Sequence, residues 1–166
     1  MKKFLWLMVG PPGSGKSTAT TKMFKKDAII VSRDAIRFSK LQDGDDYFAY
    51  EDDVLKMFYH LIQKGLDKGF AVVADATHLT EKARSATVNA IKLAEGDTLW
   101  LGAVVACTPL EIALERNAKR EGRALVPETA IKNMYRSCTD PIEDKKLEYN
   151  MIIYIDENQQ IKEVRE

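Results

Sequence analysis

The sequence predicts an α/β fold, a parallel sheet of five strands flanked by helices. Three observations predict it. Five short apolar runs alternate with stretches of helical periodicity, the trace left by βαβ units. Each run is apolar at consecutive positions, as in strands buried on both faces. The first run also leads directly into Gly10-Pro-Pro-Gly-Ser-Gly-Lys-Ser-Thr18, a glycine-rich turn from strand to helix.

The expected strands are Phe4 to Val9, Ala28 to Val31, Phe70 to Ala74, Leu99 to Ala106 and Met151 to Ile155. A first helix runs from Lys16 to about Phe24. A second carries Tyr50, Val54, Met57, Phe58, Leu61 and Ile62, whose spacing of three and four residues makes one apolar, core-facing stripe. Thr108-Pro-Leu-Glu111 has the form of a capping box with Pro at the first helical position, so a helix begins there and runs toward Lys119. Another begins near Pro127. The polar tail from Asn158 to Glu166 reads as a short edge strand or a frayed end. No linker, repeat or low-complexity segment breaks the pattern, so residues 1–166 are expected to form one domain.

Composition narrows the class. At 166 residues, with 45% hydrophobic and 30% charged, the chain suits a globular domain with one core, and it has no stretch of roughly 20 apolar residues to span a membrane. Lys2-Lys3 before Phe4 to Val9 superficially resembles a secretion signal, but cleavage after so short a run would destroy the glycine-rich turn. With only Cys107 and Cys138, a reduced, cytoplasmic setting is expected, with both thiols packing rather than reacting. Net charge is zero, from 25 basic and 25 acidic residues, which removes the simplest argument for a nucleic-acid partner. The distribution is uneven. Asp43, Asp45, Asp46, Glu51, Asp52 and Asp53 form a run without Lys or Arg that should avoid phosphates. Arg116, Lys119, Arg120, Arg123, Lys132 and Arg136 stand against only Glu121 and Glu128, and should attract anions. Solvated helix faces are the alternative for both.

The glycine-rich turn is a complete GxxxxGK[ST] phosphate-binding loop. Gly10, Gly13 and Gly15 permit positive φ, so that successive N–H groups point inward at phosphate oxygens. Gly13, Ser14, Gly15, Lys16, Ser17 and Thr18 are the expected nucleotide contacts. Lys16 reaches the β and γ phosphates, Ser17 offers its hydroxyl to Mg²⁺, and the helix they open adds its dipole. The cofactors this implies are ATP and Mg²⁺.

In parallel sheets ligands bind beyond the carboxyl ends of the strands, and three polar groups stand there. Ser32-Arg33-Asp34-Ala35-Ile36-Arg37 follows the second strand, with Arg33, Asp34 and Arg37 where a phosphate acceptor can lie. Asp34 is the candidate general base, its alternative being a helix cap. Asp75-Ala-Thr-His-Leu79 follows the third strand. Asp75 can hold Mg²⁺ through water or orient the nucleophile, while Thr77 and His78 either touch the acceptor or complete the turn. The third group, Arg116 to Arg123 ahead of Val126-Pro127, reads as a basic lid over residues 116–127. Arg116 and Arg120, four apart, are expected to share a helix face and clamp one anion, with a charged exposed helix end as the alternative.

These residues together resemble a known family. Gly10 to Thr18, Ser32 to Arg37, Asp75 to Leu79, and Glu115-Arg-Asn-Ala-Lys-Arg120 with Val126-Pro127 are similar to the kinase domain of bacteriophage and bacterial polynucleotide 5′-hydroxyl kinases, over Leu5 to about Cys138. The resemblance implies the three-layer P-loop kinase fold with strand order 2-3-1-4-5. It also implies Asp34 as general base, Arg37 on the acceptor phosphate, Arg116 and Arg120 on the nucleotide, and a 5′-hydroxyl end of DNA or RNA as substrate. Ala35 and His78 depart from that family's pattern, where a second Asp and an Asn are expected. Asp156-Glu-Asn158 is not the DxDxT motif of the phosphatase that many members carry, so phosphatase activity is not expected. A kinase for a nucleoside or sugar, and a non-catalytic nucleotide-binding module, are the alternatives. Oligomeric state is open.

Overall fold

A computed structural model describes residues 1–166 as one sheet of six strands with helices on both faces. The strands are β1 (Lys2–Val9), β2 (Ile29–Ser32), β3 (Val72–Asp75), β4 (Thr98–Ala106), β5 (Met151–Ile155) and β6 (Ile161–Arg165). The helices are α1 (Lys16–Phe24), α2 (Arg33–Lys40), α3 (Glu51–Asp67), α4 (Glu81–Asn89), α5 (Leu110–Ala118) and α6 (Glu128–Ser137). The order across the sheet is β2-β3-β1-β4-β5-β6, with β1 to β5 parallel and β6 antiparallel to β5.

The expected five strands therefore become six. The polar tail pairs because the outer edge of β5 is free and the Asp156 carboxylate closes the connecting turn, accepting from the backbone N–H of Asn158 at 2.8 Å and of Gln160 at 2.9 Å. All five β6 residues are exposed, which is why no buried periodicity announces the strand.

The sheet's two faces are buried by different helices. Leu5, Leu7, Val72, Ala74 and Leu101 pack with Phe58, Ile62 and Leu66 of α3. On the opposite face Met8, Val73, Val104, Ile153 and Ile155 pack with Ala19 and Phe24 of α1. Side chains such as Phe58 and Leu66, at most 1% exposed, contribute roughly 1.5–3 kcal/mol each through burial. The α3 stripe is buried at Val54, Phe58, Ile62 and Leu66, but Tyr50 and Met57 stay exposed, because only half of the helix circumference meets the sheet.

Two short helices lie where the sequence reading names none. Ser32 caps α2 by accepting from Ala35 N–H at 3.2 Å, which leaves Asp34 in the first turn rather than at the cap. Thr80 caps α4 in the same way through Ala83. The capping box expected at Thr108 does not form. Thr108 is buried, and its hydroxyl donates to the Ser14 carbonyl at 2.7 Å, satisfying a phosphate-loop oxygen that would otherwise lack a partner. Helix α5 then begins after Pro109 without a side-chain cap.

A fully buried guanidinium ties α4 to the segment before β5. Arg84 donates to Asp144, to the His78 carbonyl at 2.9 Å, and to the Thr139 carbonyl and hydroxyl at 3.0 and 2.9 Å. Tyr149 adds a hydrogen bond to Asp144 at 2.8 Å. No helix is long and apolar enough to cross a membrane.

Candidate active site

The carboxyl ends of β1, β2 and β3 lie side by side, and the register that pairs Ser32 with Asp75 brings the three polar groups to one edge. The phosphate loop spans Gly10 to Gly15 between β1 and α1. Its start is pinned by Gly10 N–H donating to the Thr77 carbonyl at 3.0 Å. Gly13 has φ +80°, and a Cβ there would sit 2.5 Å from the Ala113 carbonyl oxygen, so the loop packs directly on α5. The Ser14 hydroxyl is buried without a protein partner beneath the loop.

Behind the loop a cleft of about 460 Å³ is lined by Lys16, Ser17, Asp34, Asp75 and Thr77 at its base. Burial lowers the Lys16 pKa, while Asp75 and Asp34 pull it back up and Arg120 adds to the depression. Asp75 is 8% exposed, and burial raises its pKa, opposed by Lys16 and by the Ser17 hydrogen bond and reinforced by Asp34. Ser17 Oγ donates to Asp75 Oδ2 at 3.3 Å. A hydroxyl and a carboxylate oxygen therefore converge, the donors that Mg²⁺ accepts alongside phosphate oxygens and water.

Asp34 faces the same cleft with its side chain 65% exposed. It is not free. Arg37, three residues on, is ion-paired with it, and Tyr47 donates to its Oδ1 at 3.2 Å. Arg37 also donates from Nη1 to the Tyr47 hydroxyl at 3.1 Å and lies over the Tyr47 ring, 4.6 Å from its centroid. Glu51, at the start of α3, accepts from Arg37 at 2.9 to 3.3 Å and from Arg33. Burial alone would raise the Glu51 pKa, but the two guanidiniums outweigh it and hold the carboxyl below its usual range. One acid of the run expected to avoid phosphates thus ties α3 to α2. The signal was present in Arg33 and Arg37: four apart on a short helix, they need a carboxylate once folded inward.

Tyr47 and Phe48 form an aromatic wall, edge-on to each other with centroids 4.8 Å apart. Leu125, Val126, Pro127 and Met134 line the cleft as well. The loop between α5 and α6 is closed at its base by Asn117, 4% exposed, whose side chain donates to the Val126 carbonyl at 2.7 Å and accepts from Val126 N–H at 3.0 Å. Its outer part is held across to the loop after α2, since Arg123 donates to the Leu41 carbonyl at 2.9 Å and to Asp43 at 3.0 Å. Neither contact is visible from spacing, because each joins residues that only the fold brings together.

Two sequence expectations need correction. His78 does not line the cleft. It is 3% exposed, adopts φ +43°, and bonds through Nδ1 to the Met8 carbonyl at 2.9 Å and through Nε2 to Thr87 at 3.0 Å. Burial depresses its pKa to about 4, so the ring is neutral and serves the core. Arg116 and Arg120 do not share a helix face either, because α5 ends at Ala118. Arg116 donates to the Gly13 carbonyl at 3.3 Å and the Glu157 carbonyl at 2.6 Å, bracing the outer side of the phosphate loop. Arg120 is exposed beyond the helix and near enough to Lys16 to affect its charge.

Strand order, phosphate loop and the cleft beyond the strand ends define a P-loop kinase fold. Residues 5–141 match a family described as an AAA domain, AAA_33, and the chain belongs to that family. Among curated proteins none matches this sequence. The fold is similar to a chain of the Pnkp1/Rnl/Hen1 RNA repair complex, with 26% identity and TM-score 0.66 over 81% of this chain. That match spans only 43% of the larger chain. A sugar kinase from Janibacter sp. HTCC2649 is 18% identical with TM-score 0.66, over 95% of this chain and 87% of that one. A fungal RNA kinase is 15% identical with TM-score 0.65, over 93% of this chain and 74% of that one.

Proposed function

We propose that the chain is an ATP-dependent polynucleotide 5′-hydroxyl kinase. The observation that carries this reading is the convergence of Asp34, Lys16 and Ser17 on one cleft whose remaining walls, Tyr47-Phe48 and Leu125 to Pro127, suit the flat faces of a terminal nucleoside. The likeness to a chain of an RNA repair complex and to an RNA kinase supports the acceptor class.

The loop amides and Lys16 hold the β and γ phosphates. Ser17 and Asp75 would hold Mg²⁺, which when bound neutralises developing charge on the transferred phosphoryl group. Asp34 orients the 5′-hydroxyl and takes its proton as the oxygen attacks the γ phosphorus and the bond to the β-phosphate oxygen breaks, yielding ADP and a 5′-phosphate. Arg37 and Arg33 position the acceptor's phosphate, and Thr77 lies beside the reacting groups. Arg120, with the loop over residues 116–127 acting as a lid, stabilises charge on the transferred group, while Arg116 keeps the phosphate loop in shape for the nucleotide.

A second reading, a kinase for a neutral hydroxyl compound such as a nucleoside or sugar, draws on one observation: Arg37 is already neutralised by Asp34 and Glu51, leaving little free positive charge for a phosphate. The sugar-kinase likeness fits it. Incubation with γ-labelled ATP, Mg²⁺, and a panel of 5′-hydroxyl oligonucleotides, nucleosides and sugars decides between them. Label transferred to oligonucleotide ends supports the first reading, and label on nucleosides or sugars alone replaces it with the second. ATP binding without transfer to any acceptor would leave a nucleotide-binding module.

A further inference from the structure

Strand β6 closes the sheet on one side, so its outer row of backbone N–H and C=O groups faces away from the fold. Its five residues are all exposed. An unprotected edge of this kind is a template for a further strand.

The sheet face beside it carries exposed apolar side chains. Ile153 pairs with Val164 and Ile155 with Ile161, so the outer pair projects from the same sheet face as α1. That helix is nine residues long, and it leaves part of the face uncovered. Trp6 and Trp100 lie over Gly102 there, their ring centroids 5.0 Å apart, where a Cβ would come within 2.5 Å of Trp6. Phe4 on the same face is 39% exposed, three strands in from the edge, and Val164 and Ile161 are 47% and 59% exposed on β6 itself. Large side chains left uncovered next to a free edge indicate a surface that something covers.

We propose that a second copy of this chain covers the β6 edge, by antiparallel pairing of β6 with β6 about a two-fold axis through Val164. The strand's own charges select this occupant. In antiparallel pairing opposed residues share a face, so each register is defined by the residue that meets itself. Centring on Val164 sets Glu163 opposite Arg165 of the second copy and Lys162 opposite its Glu166, while Val164 meets Val164 on the apolar side. Centring on Glu163, Lys162 or Arg165 instead stacks like charges directly across the ladder, and centring on Ile161 sets no opposite charges across it, so only the Val164 register gains from charge pairing. Glu163 and Arg165 already pair within the strand at 2.7 Å, so both sit on one face, ready to exchange partners. The two six-stranded sheets then run into one another through an isologous interface.

The test is sedimentation or light scattering on the full chain, mass 18.8 kDa, alongside V164K, R165E and the double variant E163R/R165E. The wild type is expected at twice the monomer mass at about 100 µM, within the range of a modest interface. V164K and R165E are each expected to weaken the dimer at least tenfold, whereas E163R/R165E, which reverses both charges, restores it. At concentrations low enough for every variant to be monomeric these exposed positions should leave the thermal melting profile unchanged, and that measurement separates lost association from lost folding. A monomeric wild type at that concentration overturns the proposal. So does a dimer that persists in R165E, or a double variant that fails to recover.

Discussion

Glu51, the first residue of α3, holds the Arg37 guanidinium of α2 through contacts of 2.9 to 3.3 Å while also accepting from Arg33. The Arg37 side chain is 6% exposed and that of Glu51 is 23%, so neither charge is fully hydrated. Removing the carboxylate charge leaves Arg33 without an ion-pair partner and Arg37 with Asp34 alone, in a partly buried site. Glu51→Gln is expected to lower stability by about 2–4 kcal/mol, seen as a fall in Tm of roughly 5–10 °C. A melting curve superimposable on that of the wild type would mean that water replaces Glu51 without loss.

Asp34 is the only cleft carboxylate with its side chain largely open to an acceptor while tied to a neighbouring arginine. Asp34→Asn removes the proton acceptor but keeps the shape. The expected result is retained ATP affinity and a kcat lower by about 10²- to 10⁴-fold. Equal turnover would remove Asp34 from the chemistry.

If the acceptor is a polynucleotide, its affinity falls with salt, by about 0.7 to 0.9 of a power of salt concentration for each phosphate neutralised. Arg37→Ala should then raise the acceptor KM and flatten that slope by about one phosphate, with the ATP KM little changed. An acceptor KM independent of both salt and Arg37 points to the small-molecule reading.

His78 couples stability to acid. Its folded pKa of about 4 lies below the ordinary value of 6.5, so between those values the unfolded chain binds the extra proton and folding is disfavoured. The neutral ring's contribution is complete above pH 6.5 and is lost as pH falls toward 4, amounting to about 3 kcal/mol. The ring then has to give up its acceptor role toward Thr87. Denaturant titrations from pH 7 to 4 should show this loss in the wild type and a shallower one in His78→Gln. Parallel pH profiles would place the acid sensitivity elsewhere.

Much of the site was legible because its chemistry is local. The phosphate loop needs glycines, Lys16 and Ser17 at set intervals in one short segment, and the structure builds it as a strand-to-helix turn. The five parallel strands were visible as apolar runs, with ends within a few residues of those observed. What escaped were relationships between distant segments. The placement of His78 in the core depends on Met8 and Thr87, the tether on Asn117 depends on Val126, and Glu51 acquires its role only when α3 packs beside α2.

By itself, the sequence determined that this chain carries an anion-binding loop at the end of a buried parallel strand, because positive φ, backbone N–H direction and a lysine's reach are properties of consecutive residues. Tertiary structure alone decided which polar side chains face the cleft, which are spent on one another, and whether a polar tail pairs as a strand. Those outcomes turn on burial and on the distance between segments far apart in the chain, and residue order does not encode either one directly.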